Sequence, residues 1–120
     1  MPHLRIETNV SKDAVPKDLP QELCKLIAKL LGKPESYCCV TIVPDQLMVF
    51  GGSDEPCGQA LLMSIGQLGK KENIAHSKGI FEKVSKSLGI PPTRMYITFH
   101  DEKAMNVGYN GTTFSEIFGE

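Results

Sequence analysis

Polar and apolar positions alternate from the start of the chain. Leu4, Ile6 and Thr8 interleave with Arg5 and Glu7, the period of a half-buried strand. After a polar connection over 9–17 the period changes. Leu19, Leu23, Leu26, Ile27, Leu30 and Leu31 recur at three- and four-residue spacing with Lys25 and Lys29 opposite, which predicts an amphipathic helix. Asp18 and Gln21 have the spacing of a capping box, with Ser11 or Asp13 as alternative earlier caps. Pro20 is tolerable in a first turn, and Gly32-Lys33-Pro34 ends the helix. The β-branched run Cys38–Val43 predicts a strand ended by Pro44-Asp45, and Leu47–Phe50 a further short one.

Past the Gly51–Pro56 loop, the nearly continuous apolar run Ala60–Ile65 reads as a central strand covered on both faces. A second helix is expected over about Lys70 to Leu88, burying Ile74, Ile80, Phe81, Val84 and Leu88 and stopped by Gly89 and Pro91-Pro92. Met95–His100 alternates as a strand, and Val107–Tyr109, Asn110-Gly111 and Thr112–Phe114 carry a hairpin signal. Two strand–helix–strand units sharing one sheet give an α+β domain over 1–120: four strands, two helices on one face and short extra strands. The opposite sheet face, left apolar through Ala60–Ile65, predicts self-association.

Composition narrows the function classes. The 120 residues are 41% hydrophobic and 22% charged, and 13 basic and 14 acidic side chains are mixed along the chain, so neither a nucleic-acid nor a membrane partner is indicated by charge. The first residues lack a signal-peptide pattern, and no apolar run is long enough to span a bilayer, so cytosolic synthesis is expected. Cys24, Cys38, Cys39 and Cys57 show no C-x-x-C spacing. They read as reduced, small buried hydrophobes, with no disulfide, metal or other cofactor expected.

The candidate chemistry sits at the beginning. If Met1 is removed, as a small second residue generally permits, the Pro2 nitrogen changes from a tertiary amide to a free secondary amine. An α-amino group has a reference pKa of about 7.7–8.0, and burial or a nearby cation enlarges its neutral fraction, so it can act as a base. Pairing the first strand into a sheet would hold it still. The simpler reading is that Pro2 only begins a strand without contributing an N–H.

Several blocks together are specific: Pro2 after Met1, Thr8-Asn9, Gly32-Lys33-Pro34, Val43-Pro44-Asp45-Gln46-Leu47-Met48, Phe50-Gly51-Gly52-Ser53, Glu55-Pro56-Cys57, Ser64-Ile65-Gly66 and Asn106-Val107-Gly108. They run in register through nearly the whole chain, which resembles the macrophage migration inhibitory factor family of the tautomerase superfamily. The D-dopachrome tautomerase branch is similar too, but Pro44–Met48 favours the first. The resemblance implies a homotrimer whose sheets form a central barrel wrapped by six helices. It also implies keto–enol tautomerisation of small aromatic keto acids, of the phenylpyruvate and D-dopachrome type, with Pro2 as catalytic base. Lys33 and the Ile65 N–H would hold the substrate acid or the developing enolate. Tyr37, Val107, Tyr109 and Phe114 would line the aromatic pocket, joined by Tyr96 from a neighbouring subunit. Taken singly, Lys33 reads as a solvated charge after a helix end and the aromatic residues as core or rim.

Three departures from the family pattern stand out. Thr98 replaces a common Asn, Tyr109 a frequent Trp and Met63 a frequent His, which implies an altered substrate preference with activity retained. A fourth removes chemistry, because Cys57-Gly58-Gln59-Ala60 breaks the family's C-x-x-C. The resemblance also implies a second role as a leaderless secreted cytokine in innate immunity and inflammation, present in cytoplasm and outside the cell. Its receptors would be of the MHC class II invariant-chain and chemokine types, the latter contacted by Lys12 and Asp45. Those two otherwise read as ordinary loop charges, and Lys in place of Arg loses a bidentate fork. The alternative is a cytokine-like binding protein with vestigial tautomerase activity.

Overall fold

A computed structural model describes residues 1–120. The alternation of the first residues becomes β1 (Pro2–Thr8), with Pro2, Leu4, Ile6 and Thr8 buried. α1 (Leu19–Leu31) buries Leu19, Leu23, Ile27 and Leu31, and Gly32 closes it at φ 63, a conformation a Cβ would resist. Asp18 is the N-cap residue but makes no side-chain capping bond, so the expected capping box does not form. β2 (Cys39–Val43) pairs parallel to β1, β3 (Gly58–Ser64) antiparallel to β1, and β4 (Met95–Asp101) parallel to β3. The sheet order is β2-β1-β3-β4. α2 (Lys70–Leu88) lies beside α1, and the two helices bury their apolar stripes with Leu4, Ile6, Ala60 and Leu62 in one core. The tail forms a hairpin of β5 (Gly108–Tyr109) and β6 (Thr112–Thr113), and Phe114 starts a short helix, α3 (Phe114–Phe118), rather than ending the hairpin. No helix is long and apolar enough to cross a membrane.

Further expectations change. β3 is central in the sheet, but its burial alternates: Ala60, Leu62 and Ser64 face the helices, whereas Leu61 and Met63 point to the other side. By register they share that open face with His3, Arg5, Glu7, Gln59, Thr98 and His100, so the face is mixed rather than apolar. Residues 47–50 form no strand; Leu47 is fully exposed and Val49 is 66% exposed. A strand needs a ladder partner, and the protomer supplies this segment none; its last residue, Phe50, instead packs on Tyr96 of β4. On α2, Ile74 is 68% exposed and His76 takes the inward position, its Nε2–H donating to the Gln67 carbonyl at 2.9 Å. Of the cysteines, Cys57 is buried, Cys24 and Cys38 are half-buried and Cys39 is exposed.

Polar clasps hold the 50–57 loop. Thr8 Oγ1 donates to the Cys57 carbonyl at 2.7 Å, and the Asn9 amide bonds the Asp54 and Glu55 carbonyls and accepts from the Cys57 N–H. Arg94 donates to the carbonyls of Phe50, Ser53, Glu55 and Pro56 at 2.9–3.1 Å, with its guanidinium 5.7 Å from the centre of the Phe50 ring. These are charge-assisted bonds to backbone oxygens without another strand to bind them. Arg94→Ala is therefore expected to destabilise the protein by about 2–3 kcal/mol, discounted for partial exposure, as measured by urea unfolding. An unchanged midpoint would show that the loop holds itself.

Candidate functional site

One end of the sheet collects most of the residues singled out from the sequence. Pro2, at the start of β1, pairs with Ser64 at the end of β3, and the register that sets His3 against Cys39 puts Cys38 beside Pro2. Because α1 runs back against β1, its C-terminal end also arrives there. Lys33 follows Gly32 with its N–H on the Ala28 carbonyl, and its Nζ donates to the Ile65 carbonyl at 3.1 Å. Ile65 thus contributes a carbonyl to Lys33 here, while its N–H takes part in none of the turn and loop bonds of the region.

The electrostatics of this end favour a neutral amine. The amino group of Met1 is held below its usual value, chiefly by burial and further by the Lys33 charge, with Cys38 acting in the opposite sense. Pro2 lies one residue deeper and is fully buried. While Met1 is attached, the Pro2 nitrogen is an amide with no basic lone pair. Burial, then Cys24, raises the Cys38 thiol pKa, so this thiol stays protonated at neutral pH although it borders the site. His3, next along β1, has its Nε2 3.0 Å from Thr41 Oγ1 and a lowered pKa, through burial first and then Arg5.

Aromatic rings form the wall. Tyr37 packs edge-on to Tyr109 and Phe114, at 5.3 and 5.5 Å between ring centres, and Tyr109 stacks on Phe114 at 5.3 Å. Tyr37 leaves the turn that feeds β2, next to Cys38, which ties this cluster to the Pro2 end. Val107 is half-buried, and its carbonyl accepts from the Phe114 N–H at 3.0 Å, closing the hairpin onto α3. Tyr109 is 45% exposed, so the wall is open to solvent on one side in the single chain.

Tyr96 is elsewhere. Its register partner is Gln59, five residues along β3 from Ser64, which places it roughly 16 Å from the Pro2 rung. It is 64% exposed and packs on Phe50, 5.0 Å between ring centres. Thr98 lies on the same strand, opposite Leu61. Lys12 and Asp45 lie past the far ends of β1 and β2, where the Lys12 N–H donates to Asp45 Oδ2 at 3.3 Å. Asp45 adopts φ 61, a conformation Asp tolerates better than most residues, and its N–H is bonded to the Val10 carbonyl.

Sequence reasoning missed Cys38 as a neighbour of the amine, because it treated all four thiols alike; their differing exposure needed the fold. It also missed Arg94, whose clasp reaches back about forty residues and leaves no local pattern.

The family description macrophage migration inhibitory factor matches residues 1–115. Macrophage migration inhibitory factor of Xenopus tropicalis is 44% identical over 115 residues, covering 96% of this chain and all of that protein. The homolog from Trichuris trichiura is 45% identical over 114 residues, covering 95% of this chain and 100% of that one. Among solved structures, the macrophage migration inhibitory factor of Trichinella spiralis superposes with a TM-score of 0.91 at 40% identity, covering 93% of this chain and 99% of that one. The homologue from Prochlorococcus marinus gives 0.86 at 36% identity, over 93% of this chain and 98% of that one. A fold and a sequence alike over nearly the full length make this chain a member of the macrophage migration inhibitory factor family.

Proposed function

We propose that, once Met1 is removed, this protein is a keto–enol tautomerase acting on small aromatic α-keto acids through the amine of Pro2. The observation that carries the reading is the convergence at one sheet end: a buried Pro2, the Lys33 ammonium on Ile65, and the wall of Tyr37, Tyr109 and Phe114. An aromatic wall beside one fixed cation suits a substrate with an aromatic ring and a carboxylate. The neutral amine takes the proton from the carbon between ring and carbonyl, Lys33 stabilises the enolate oxygen or anchors the carboxylate, and the ammonium delivers the proton to that oxygen to give the enol; in the opposite direction the amine takes it from the enol oxygen and delivers it to the carbon. One base is sufficient because the two sites are adjacent in the substrate. No metal or other cofactor enters this scheme.

Tyr96 reaches such a site only from a second subunit, since its own Pro2 is several rungs away along the sheet. Exposed Leu47 and Val49 support the same association, and the resemblance gives its order as a homotrimer.

The pH dependence follows from the direction of the amine shift. A base works in its neutral form, so kcat/KM rises as pH rises through the lowered amine pKa and levels off above it. The Lys33 charge that lowers the Met1 amino group is expected to act on a Pro2 amine in the same sense, so Lys33→Met should move the acid limb to higher pH and also weaken binding of the acid. Turnover of phenylpyruvate followed from pH 5 to 9 checks both. An acid limb unmoved in Lys33→Met would remove Lys33 from the electrostatics of the amine.

A second, cytokine-like role rests on the juxtaposition of Lys12 and Asp45 at the far end of the sheet, which supports a paired basic and acidic contact for a chemokine-type receptor. With it go an invariant-chain-type receptor and leaderless export from the cytoplasm. Lys12→Ala with Asp45→Ala should weaken receptor binding and leave turnover intact, because neither lies near Pro2.

A further inference from the structure

The charges that look evenly mixed along the chain are separated in space. α1 and α2 carry seven of the thirteen basic side chains and three of the fourteen acidic ones, a net of +4; the rest of the chain, with six basic and eleven acidic, carries −5. The helical layer is thus a cationic face on a molecule of net charge −1. Its lysines are also largely free. Lys83 Nζ meets Glu22 Oε1 at 2.9 Å, and no other lysine of the two helices has a carboxylate within ion-pair distance.

The face is grooved. α1 and α2 run antiparallel and define a trough of about 570 Å³ lined by residues of these helices alone, opening away from the sheet. Gly79 lets the helices approach at one end, where an added Cβ would lie 3.1 Å from Leu30 Cδ1. Lys25 and Lys29 stand on one bank and Lys83 and Lys86 on the other; Glu22, bonded to Lys83, and Glu82 also line the groove, so its net charge is +2, and Leu26 is the one apolar lining residue. Lys25 and Lys29 are about 6 Å apart along α1, similar to the repeat of one sugar residue in an extended polysaccharide.

We propose that this groove binds a linear sulfated polysaccharide along its length. Charge complementarity selects a polyanion, and the lining selects among polyanions. The groove has no aromatic ring on which a base could stack and no arginine fork, which disfavours single-stranded nucleic acid. It also has no exposed apolar stripe to enter a lipid surface. Lysine ammoniums, as point charges, fit sulfates that need neutralising rather than geometric reading. The site lies on the opposite layer from the sheet face and outside the Pro2 end, so it can be filled while the tautomerase site is working.

The test uses the purified full chain and a heparin octasaccharide of defined length, titrated calorimetrically at several salt concentrations, with phenylpyruvate turnover measured on the same samples. Binding is expected to weaken with rising salt, with a log–log slope of roughly −2 to −3 for three or four neutralised charges. The triple variant K25E/K29E/K86E should lose at least tenfold in affinity and most of that slope, with turnover unchanged. K17E/K103E, which alters two basic residues elsewhere, should bind like the parent. Equal affinity in the triple variant, or equal loss in K17E/K103E, would overturn the assignment. So would tighter binding of a single-stranded oligonucleotide of matched charge, or of phosphatidylserine vesicles.

Discussion

Pro2→Gly is expected to lower tautomerase turnover by about 10²–10³-fold, or ~3–4 kcal/mol of transition-state stabilisation, without altering assembly or thermal stability. The variant still offers a free amine after Met1 removal, so a loss cannot be assigned to a blocked terminus. What changes is the amine itself. Glycine gives a primary amine on a freely rotating backbone, whereas the pyrrolidine ring of Pro2 is buried and holds its lone pair in one direction. The ring has no N–H to lose from the ladder at that position, so the sheet has little reason to respond. A protein with Met1 retained should be equally inactive, because its Pro2 nitrogen is an amide. Intact mass of each preparation is therefore measured with its rate. Phenylpyruvate turnover at the parental rate in Pro2→Gly would remove Pro2 as the base.

Mixing two inactive or weakened proteins is expected to restore activity. Pro2→Gly protein lacks the proposed base and Tyr96→Ala protein the wall residue that a neighbouring subunit would supply, the latter expected to cost about tenfold in kcat/KM through lost aromatic contact. If each site takes Pro2 from one subunit and Tyr96 from the next, refolding the two variants together at equal amounts should leave about a quarter of the sites intact. Turnover should then rise several-fold above that of the same proteins mixed without unfolding. The argument rests on the sheet register, since Gln59 and Ser64 put the two residues far apart within one chain. Activity no greater than the unmixed sum would show that Tyr96 does not serve a neighbouring site.

Most of the fold was legible because its signals are local. The Leu19–Leu31 stripe, the Gly32 and Gly89 stops and the Asn110-Gly111 turn each need only neighbouring residues to act, and each appears where periodicity and turn chemistry put it. The misread elements depended on what was absent from their neighbourhood. Leu47–Phe50 has strand composition but no ladder partner in the chain. Ile74 lost the inward position to His76 because the buried arc of α2 is set by where the helix rests on the sheet. Ala60–Ile65 looked covered on both faces because an apolar run hides its own alternation; only its pairing with β1 and β4 separates Leu61 and Met63 from Ala60 and Leu62.

The sequence by itself determined the two βα units, their punctuation, the place of Pro2 directly after Met1, and the blocks that carry the family resemblance, since all of these are properties of neighbouring residues or of the chain read in order. Only the tertiary structure decided which of those residues meet. It brought Lys33 and Ile65 to the Pro2 end and set Tyr37 against Tyr109 and Phe114, while leaving Tyr96 several rungs away. It also sorted evenly distributed charges into a basic helical layer and an acidic remainder. The physical reason is that hydrogen-bond register and helix packing act across tens of residues, and the side-chain field they create depends on distance in space rather than along the chain.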